Sequence, residues 1–412
     1  MTAERIIRTY MALAGLYTLA ASLIWSVNTL FLLDAGLGIG QVFIANALFS
    51  VGMVLFEIPT GVVADTLGRR VSYLLSVVIL AASTMLYLLA AQTGAGVFVF
   101  GLVSILMGLG FTFYSGALEA WLVDALGEVP SHEELDHVFA RGHQVSGTAM
   151  LLGTISGGLL GQIDLAIPFI VRSGLLFVVF AIAWTLMHDI GFVPQRLELR
   201  ALPRAMAQQA RVGITFGWQQ PGLRLLMLAA SMRAMFFGWA FYASQPYFLE
   251  LLQRDAVWIV GLVTAGVSVS TIIGNQIVDT LSKRCGRRST LLLWATLVST
   301  VASVMIGVTS AFAVAVAGLM VVAAAMGVIM PIRQAFLHRV TASEHRATVV
   351  SFDAMVASVG GAGGQLGLGA VSDQRGFSSG YIVGGAVTGL ALPILWLLRR
   401  RGDEADLPGD PG

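Results

Sequence analysis

Long apolar runs separated by short polar breaks dominate the chain. A helix needs about 20 apolar residues to cross the hydrocarbon of a bilayer. On that measure the runs predict twelve spans, at 10–33, 39–64, 72–91, 96–126, 141–163, 166–189, 222–250, 256–280, 289–309, 311–340, 347–371 and 378–398. Runs such as Val71–Leu89 show no alternation of apolar and polar residues, which the strands of a membrane barrel require. The predicted fold class is therefore all-α. The first run is too long for the apolar part of a signal peptide, and no small-residue cleavage site follows it. The longest polar stretch, Gly191–Pro221, divides the spans six and six. This predicts an N-terminal six-helix bundle over 1–190, a linker over 191–221, a C-terminal bundle over 222–400 and a disordered acidic tail over 401–412. In the linker, Arg196, Arg200, Arg204 and Arg211 interleave with Leu197, Leu199, Leu202 and Met206. That pattern fits either a helix lying on the inner leaflet or a solvated connection.

Composition agrees with a membrane solvent. Of 412 residues, 57% are hydrophobic and 11% charged, with mean hydropathy +0.82; soluble domains carry about a quarter charged residues. A net charge of +1 excludes a general nucleic-acid footprint. The single cysteine, Cys285, excludes an intrachain disulfide and a cysteine-based metal cluster; no metal or cofactor is expected. The basic residues are lopsided. Nineteen of the 24 fall on one side of the predicted spans, and the opposite loops hold only Arg254 and Arg375. The positive-inside rule then places both termini in the cytoplasm of a multi-pass inner-membrane protein.

The two halves echo one another. Gly61-Val-Val-Ala-Asp65-Thr-Leu-Gly68-Arg69-Arg70 follows span two; Asp279-Thr-Leu and Gly286-Arg287-Arg288 follow span eight, with Ser282–Cys285 inserted between them. Arg141–Met150 and Arg346–Met355, opening spans five and eleven, match at five of ten positions. A weaker echo pairs Ala120-Trp-Leu122 with Ala335-Phe-Leu337. Each joins span n to span n+6, a parallel repeat used by transporters whose halves rock about a central site.

With these motifs the sequence resembles the major facilitator superfamily over about residues 8–400. The most specific element is Gly61-x-x-x-Asp65-x-x-Gly68-Arg69-Arg70, similar to the family's signature between spans two and three. Phe56-Glu-Ile-Pro-Thr-Gly61, Ser115–Asp124 and Arg346–Ser351 are similar to its bacterial drug-exporter branches. Span five keeps Gly153, Gly157, Gly158 and Gly161 but lacks the Gly-Pro of the antiporter motif. The resemblance implies two pseudo-symmetric bundles, with spans three, six, nine and twelve peripheral. It also implies that Asp65 faces the start of span eleven and helps shut the cytoplasmic side, in a gate with Gly61, Gly68, Arg69, Glu57, Asp124 and Asp279. A topology-fixing basic loop is the plainer reading of the same residues. On spacing alone, Asp65 and Arg69 can pair if the helix continues.

Ionisable residues inside spans are costly and so are functional candidates. Glu119 and Asp353 are the candidate proton carriers, or else members of structural ion pairs. Arg233 lies near mid-bilayer and requires a carboxylate such as Glu119, backbone carbonyls or an anionic ligand; Arg333 lies in span ten. Candidate cavity residues are Trp25, Asn28, Asn46, Tyr114, Arg233, Phe237, Gln245, Gln276 and Arg333. The run Gly360-Gly-Ala-Gly-Gly364 lacks the Lys-Ser/Thr of a nucleotide loop and suits close helix contact. The Gly-x-Ser-x-Gly match at Gly376–Gly380 falls in a short outer loop, not on the strand-to-helix turn of a hydrolase. The expected function is secondary transport by alternating access: proton-coupled export of small amphipathic molecules, by a monomer in contact with lipids and a small-molecule substrate. The alternative is an organic-anion or metabolite carrier with Arg233 binding the anion. No enzymatic activity is expected.

Overall fold

The computed structural model describes residues 2–130, 133–193, 207, 211–342, 345–403 and 406–407. Among them no strand occurs, and helix occupies each of the twelve apolar stretches. The first half contains α1 (Ala3–Ser22), α2 (Asn28–Asp34), α3 (Ile39–Leu67), α4 (Arg69–Gln92), α5 (Val97–Tyr114), α6 (Ala117–Gly127), α7 (Leu135–Gly161) and α8 (Ile167–Leu186). The second contains α9 (Pro221–Leu252), α10 (Val257–Gln276), α11 (Val278–Cys285), α12 (Arg288–Val308), α13 (Phe312–Val340), α14 (Arg346–Gly389) and α15 (Ala391–Arg401). Nine helical segments among the described residues are long and apolar enough to cross a membrane. The difference from twelve has local causes. The first stretch is broken over residues 23–27, α7 carries polar residues in its first turns, and the last two stretches run together across Gly376, whose φ is 80°.

Two breaks are hidden by continuous apolarity. Leu23–Val27 interrupts the first stretch. In the fourth, Ser115 leaves helical geometry and Gly116 takes a left-handed conformation at φ 72°, which glycine adopts without the clash a Cβ brings. Proline supplies other boundaries: Pro168 and Pro221 open α8 and α9, where a missing N–H costs nothing.

The chain separates into two compact units. Unit 1 is 1–37, 48–202 and 255–265; unit 2 is 38–47, 203–254 and 266–412. Within unit 1, α1 packs on α7 and α8, and α4 on α5 and α8. Unit 2 repeats the scheme, with α9 on α14 and α12 on α13, α14 and α15. Small residues set the closest crossings in both. A Cβ on Gly52 or Gly108 would come within 2.6 Å of the Ile105 or Phe49 carbonyl; one on Gly274 or Gly327 would come closer still to the Ala324 or Thr271 carbonyl. Gly360 and Gly364 likewise meet the backbone of Ser231 and Met235, the close contact that small residues permit. Trp121 and Phe336, the pair in the weakest sequence echo, are buried at 1% and 0% exposure. In unit 2, Phe336 joins Leu226, Met227, Leu292, Val349 and Leu395 in one apolar core. The linker residues Arg196, Arg200 and Arg204 lie outside the described residues.

Candidate functional site

Three clusters hold the polar chemistry, and the first is the Gly-Arg-Arg loop of unit 1. The chain leaves α3 at Leu67, turns at Gly68 with φ 109° and enters α4 at Arg69. A side chain at Gly68 would be strained by that φ and would also strike the Asp189 carboxylate. Arg69 Nη1 donates to Asp65 Oδ1 at 2.6 Å, the i,i+4 pair that the spacing allows. The same guanidinium lies 3.6 Å from Asp124 Oδ2 and over the Phe192 ring at 5.9 Å. Arg69 therefore ties the end of α3 to α6. Its partners are about one-third exposed, so each pair contributes on the order of 1 kcal/mol or less. Glu57 and Gly61 are exposed, and nothing lies within reach of a Cβ at Gly61.

The matching loop of unit 2 is built differently. Ser282–Cys285, the inserted residues, extend α11 as helix up to Gly286. Asp279 is exposed and forms no ion pair among the described residues.

A half-buried acid in unit 1 and a buried one in unit 2 form the second and third clusters. In unit 1, Glu119 sits in the first turn of α6, just past the Ser115–Gly116 break. Its Oε2 is buried and has no hydrogen-bond partner among the described residues. Its electrostatic neighbours are Tyr10, Tyr17, Tyr73 and Tyr114. Tyr114 stacks on Tyr17 with centroids 3.6 Å apart and planes within 5°. In unit 2, Arg333 Nη2 donates to Asp353 Oδ2, and Arg233 lies within electrostatic range of both. All three are at most 8% exposed. Arg233 Nη1, Arg333 Nε and Asp353 Oδ1 have no hydrogen-bond partner among the described residues. Among these three buried groups, two guanidinium groups thus stand against one carboxylate.

The candidate cavity residues divide by environment. Asn28, Asn46 and Gln245 are buried at 8%, 4% and 0% exposure; Trp25, Tyr114 and Phe237 are half-buried, and Gln276 is exposed. Trp25 falls inside the break between α1 and α2. An open groove of about 490 Å³ in unit 1 runs between α1 and α7. It is lined by Gly15, Leu16, Leu19, Gln144, Val145 and Thr148 among others. The sequence pattern marks none of them, because apolar helix faces carry no distinguishing spacing. Nor does it mark Tyr17 and Tyr73, whose proximity to Glu119 comes from the packing of α1, α4 and α6. Ser378, in the Gly-x-Ser-x-Gly match, donates to the Tyr247 hydroxyl at 3.4 Å.

Known proteins point the same way. The profile of the Major Facilitator Superfamily matches residues 227–412. "Tetracycline resistance protein, class E" of Escherichia coli is 28% identical over 143 residues, 35% of this chain and 33% of that protein. An "Uncharacterized MFS-type transporter YxaM" of Bacillus subtilis (strain 168) is 25% identical over 190 residues, 46% of this chain and 44% of that protein. The chain thus spans less than half the length of the curated relatives it matches. Among solved structures, a bacterial homolog of the human lysosomal transporter Spinster, inward-facing and unoccupied, aligns with TM-score 0.76 at 12% identity, covering 100% of this chain and 99% of that one. The nucleoside transporter NupG aligns with TM-score 0.72 at 13% identity over 97% and 99%. The human organic anion transporter MFSD10 aligns with TM-score 0.64 at 16% identity over 96% and 100%. The solved structures share the fold along nearly the whole chain, and residues 227–412 match the profile of the Major Facilitator Superfamily.

Proposed function

We propose that this chain is a proton-coupled secondary transporter that exports small amphipathic molecules by alternating access. It acts as a monomer in the inner membrane, with both termini in the cytoplasm and its two six-helix halves, 1–190 and 222–400, joined by the linker. The observation that carries the reading is the buried Glu119 oxygen without a donor, next to a broken helix. An ionisable group inside a membrane span is costly unless it serves the transport path, and the neighbouring break at Ser115–Gly116 gives the helix a place to bend. The partial match to a protein named for tetracycline resistance favours export. Asp65, Arg69 and Asp124 then serve as the cytoplasmic gate, with Asp65 facing the start of span eleven; Gly61, Gly68, Glu57 and Asp279 complete it.

The test begins with a thermal-shift screen of diverse compounds at two pH values, which identifies a ligand. Reconstituted vesicles with an imposed pH gradient then compare the parent with Glu119→Gln. The variant is expected to bind the ligand and exchange it passively, yet fail to concentrate it. Concentration driven by the gradient in that variant excludes Glu119 as the coupling site and makes Asp353 the next to replace.

A second reading rests on a different observation. Arg333 pairs with Asp353 and Arg233 lies within electrostatic range of both, and the excess of positive charge among these buried groups favours an organic anion or anionic metabolite as the ligand. Arg233→Gln separates the two readings: it abolishes binding of an anion and spares that of an uncharged or cationic amphiphile.

A further inference from the structure

Each unit contains a helix that lacks a cap of its own and borrows one from a distant part of the chain. The N-cap residues of α4 and α12 are Gly68 and Arg287, and neither makes a side-chain capping bond. At α4, the Arg70 N–H donates to Asp189 Oδ1 at 2.9 Å. At α12, the Ser289 N–H donates to Asp406 Oδ1 at 2.6 Å and the Ser289 hydroxyl to Asp406 Oδ2 at 2.6 Å. Arg70 and Ser289 occupy the same position, the second residue of their helices. A capping oxygen normally accepts there, and a negative charge at that end is favoured by the helix dipole.

The two aspartates also come from corresponding places. Asp189 lies three residues past the end of α8, and Asp406 five residues past the end of α15. Beside each, a backbone carbonyl is held by a side chain of the neighbouring long helix pair. Trp121 Nε1 of α6 donates to the His188 carbonyl at 2.7 Å; Arg339 Nη1 of α13 donates to the Leu407 carbonyl at 2.9 Å. Asp406 falls in the stretch whose composition predicts disorder, yet it is 2% exposed.

We infer that Asp189 and Asp406 are positioning residues. Each clasps the exit of its half's sixth span to the start of the third span, and so fixes the Gly-Arg-Arg loop immediately before it. Asp406 is thereby part of the loop machinery of unit 2. Movement of the sixth span in either half is transmitted to the arginines of its loop, independently of which substrate or ion the chain carries.

The native Cys285, half-buried one residue before Gly286, is a built-in reporter. Reaction with a water-soluble maleimide is followed in the purified full-length chain. Asp406→Ala is expected to raise the labelling rate about fivefold, the loss of one cap, and Asp406→Glu to return it to within about twofold of the parent. For unit 1, Thr66→Cys in a Cys285→Ser background reports on the other loop, and there Asp189→Ala raises the rate while Asp406→Ala does not. Asp189→Ala in turn leaves Cys285 labelling unchanged. A general loss of stability would loosen both loops at once, so a rise at both sites from either substitution overturns the inference. An unchanged Cys285 rate in Asp406→Ala overturns it as well. Should Asp406→Ala fail to fold, Ser289→Ala removes one of the two bonds to Asp406. It is expected to raise Cys285 labelling about twofold, and no rise contradicts the clasp.

Discussion

Unit 1 half-buries one carboxylate and unit 2 buries another, and the two have opposite surroundings. Glu119 lies within electrostatic range of Tyr10, Tyr17, Tyr73 and Tyr114, and its buried Oε2 has no hydrogen-bond partner among the described residues. Asp353 is paired with Arg333 and shared with Arg233. The repeat that generates the same helix packing in both units has therefore not kept the same charge inside them. Glu119 can be replaced without breaking an ion pair. An acid between two guanidiniums is committed, because its removal strands like charges in a low-dielectric site. The difference separates a candidate for coupling from a candidate for bracing or anion binding.

The largest effect expected is on stability in unit 2. Asp353→Ala leaves Arg233 and Arg333 uncompensated and costs about 3–5 kcal/mol, read as a large drop in melting temperature. Adding Arg333→Met to that variant recovers much of the loss, since an apolar replacement of a buried pair is nearly neutral. Glu119→Gln breaks the comparison if it destabilises as much. It is expected to cost no more than about 1 kcal/mol, because no ion pair is lost.

The next contrast is between the two Gly-Arg-Arg loops. Asp65→Asn removes the carboxylate that pairs with Arg69, worth about 1 kcal/mol or less. It is expected to raise accessibility labelling of cysteines placed in the inner cavity. Asp279→Asn, at an exposed carboxylate without an ion pair among the described residues, shifts stability by no more than about 0.5 kcal/mol and leaves the same labelling unchanged. Equal effects from the two would mean that the loops act alike despite their different construction.

Much of this architecture is readable from local pattern. The Asp65–Arg69 pair follows from i,i+4 spacing, and the helix ends near Pro168 and Pro221 follow from their backbone chemistry. Asp124 joins Arg69 only through the packing of α6 beside α4, which no spacing encodes. Breaks at residues 23–27 and 115–116 stay hidden because hydropathy averages over a window and passes across a short non-helical step. Arg333 carries no mark of its partner, and Glu119 gives no sign of its tyrosines. The tail composition, with few apolar residues to bury, gives no sign that Asp406 meets two donors on α12.

Apolar length, the scarcity of charge and the recurrence of motifs between halves fix a helical, membrane-embedded, duplicated chain, because each is a property of neighbouring residues or of their repetition. The partners of the polar groups were decided by packing. Asp189 and Arg70 stand 119 residues apart, and Asp406 and Ser289 stand 117 apart. The first N–H groups of a helix have no partner within it, so they take whichever acceptor the packed helices bring to them, and sequence separation carries no information about which one that is.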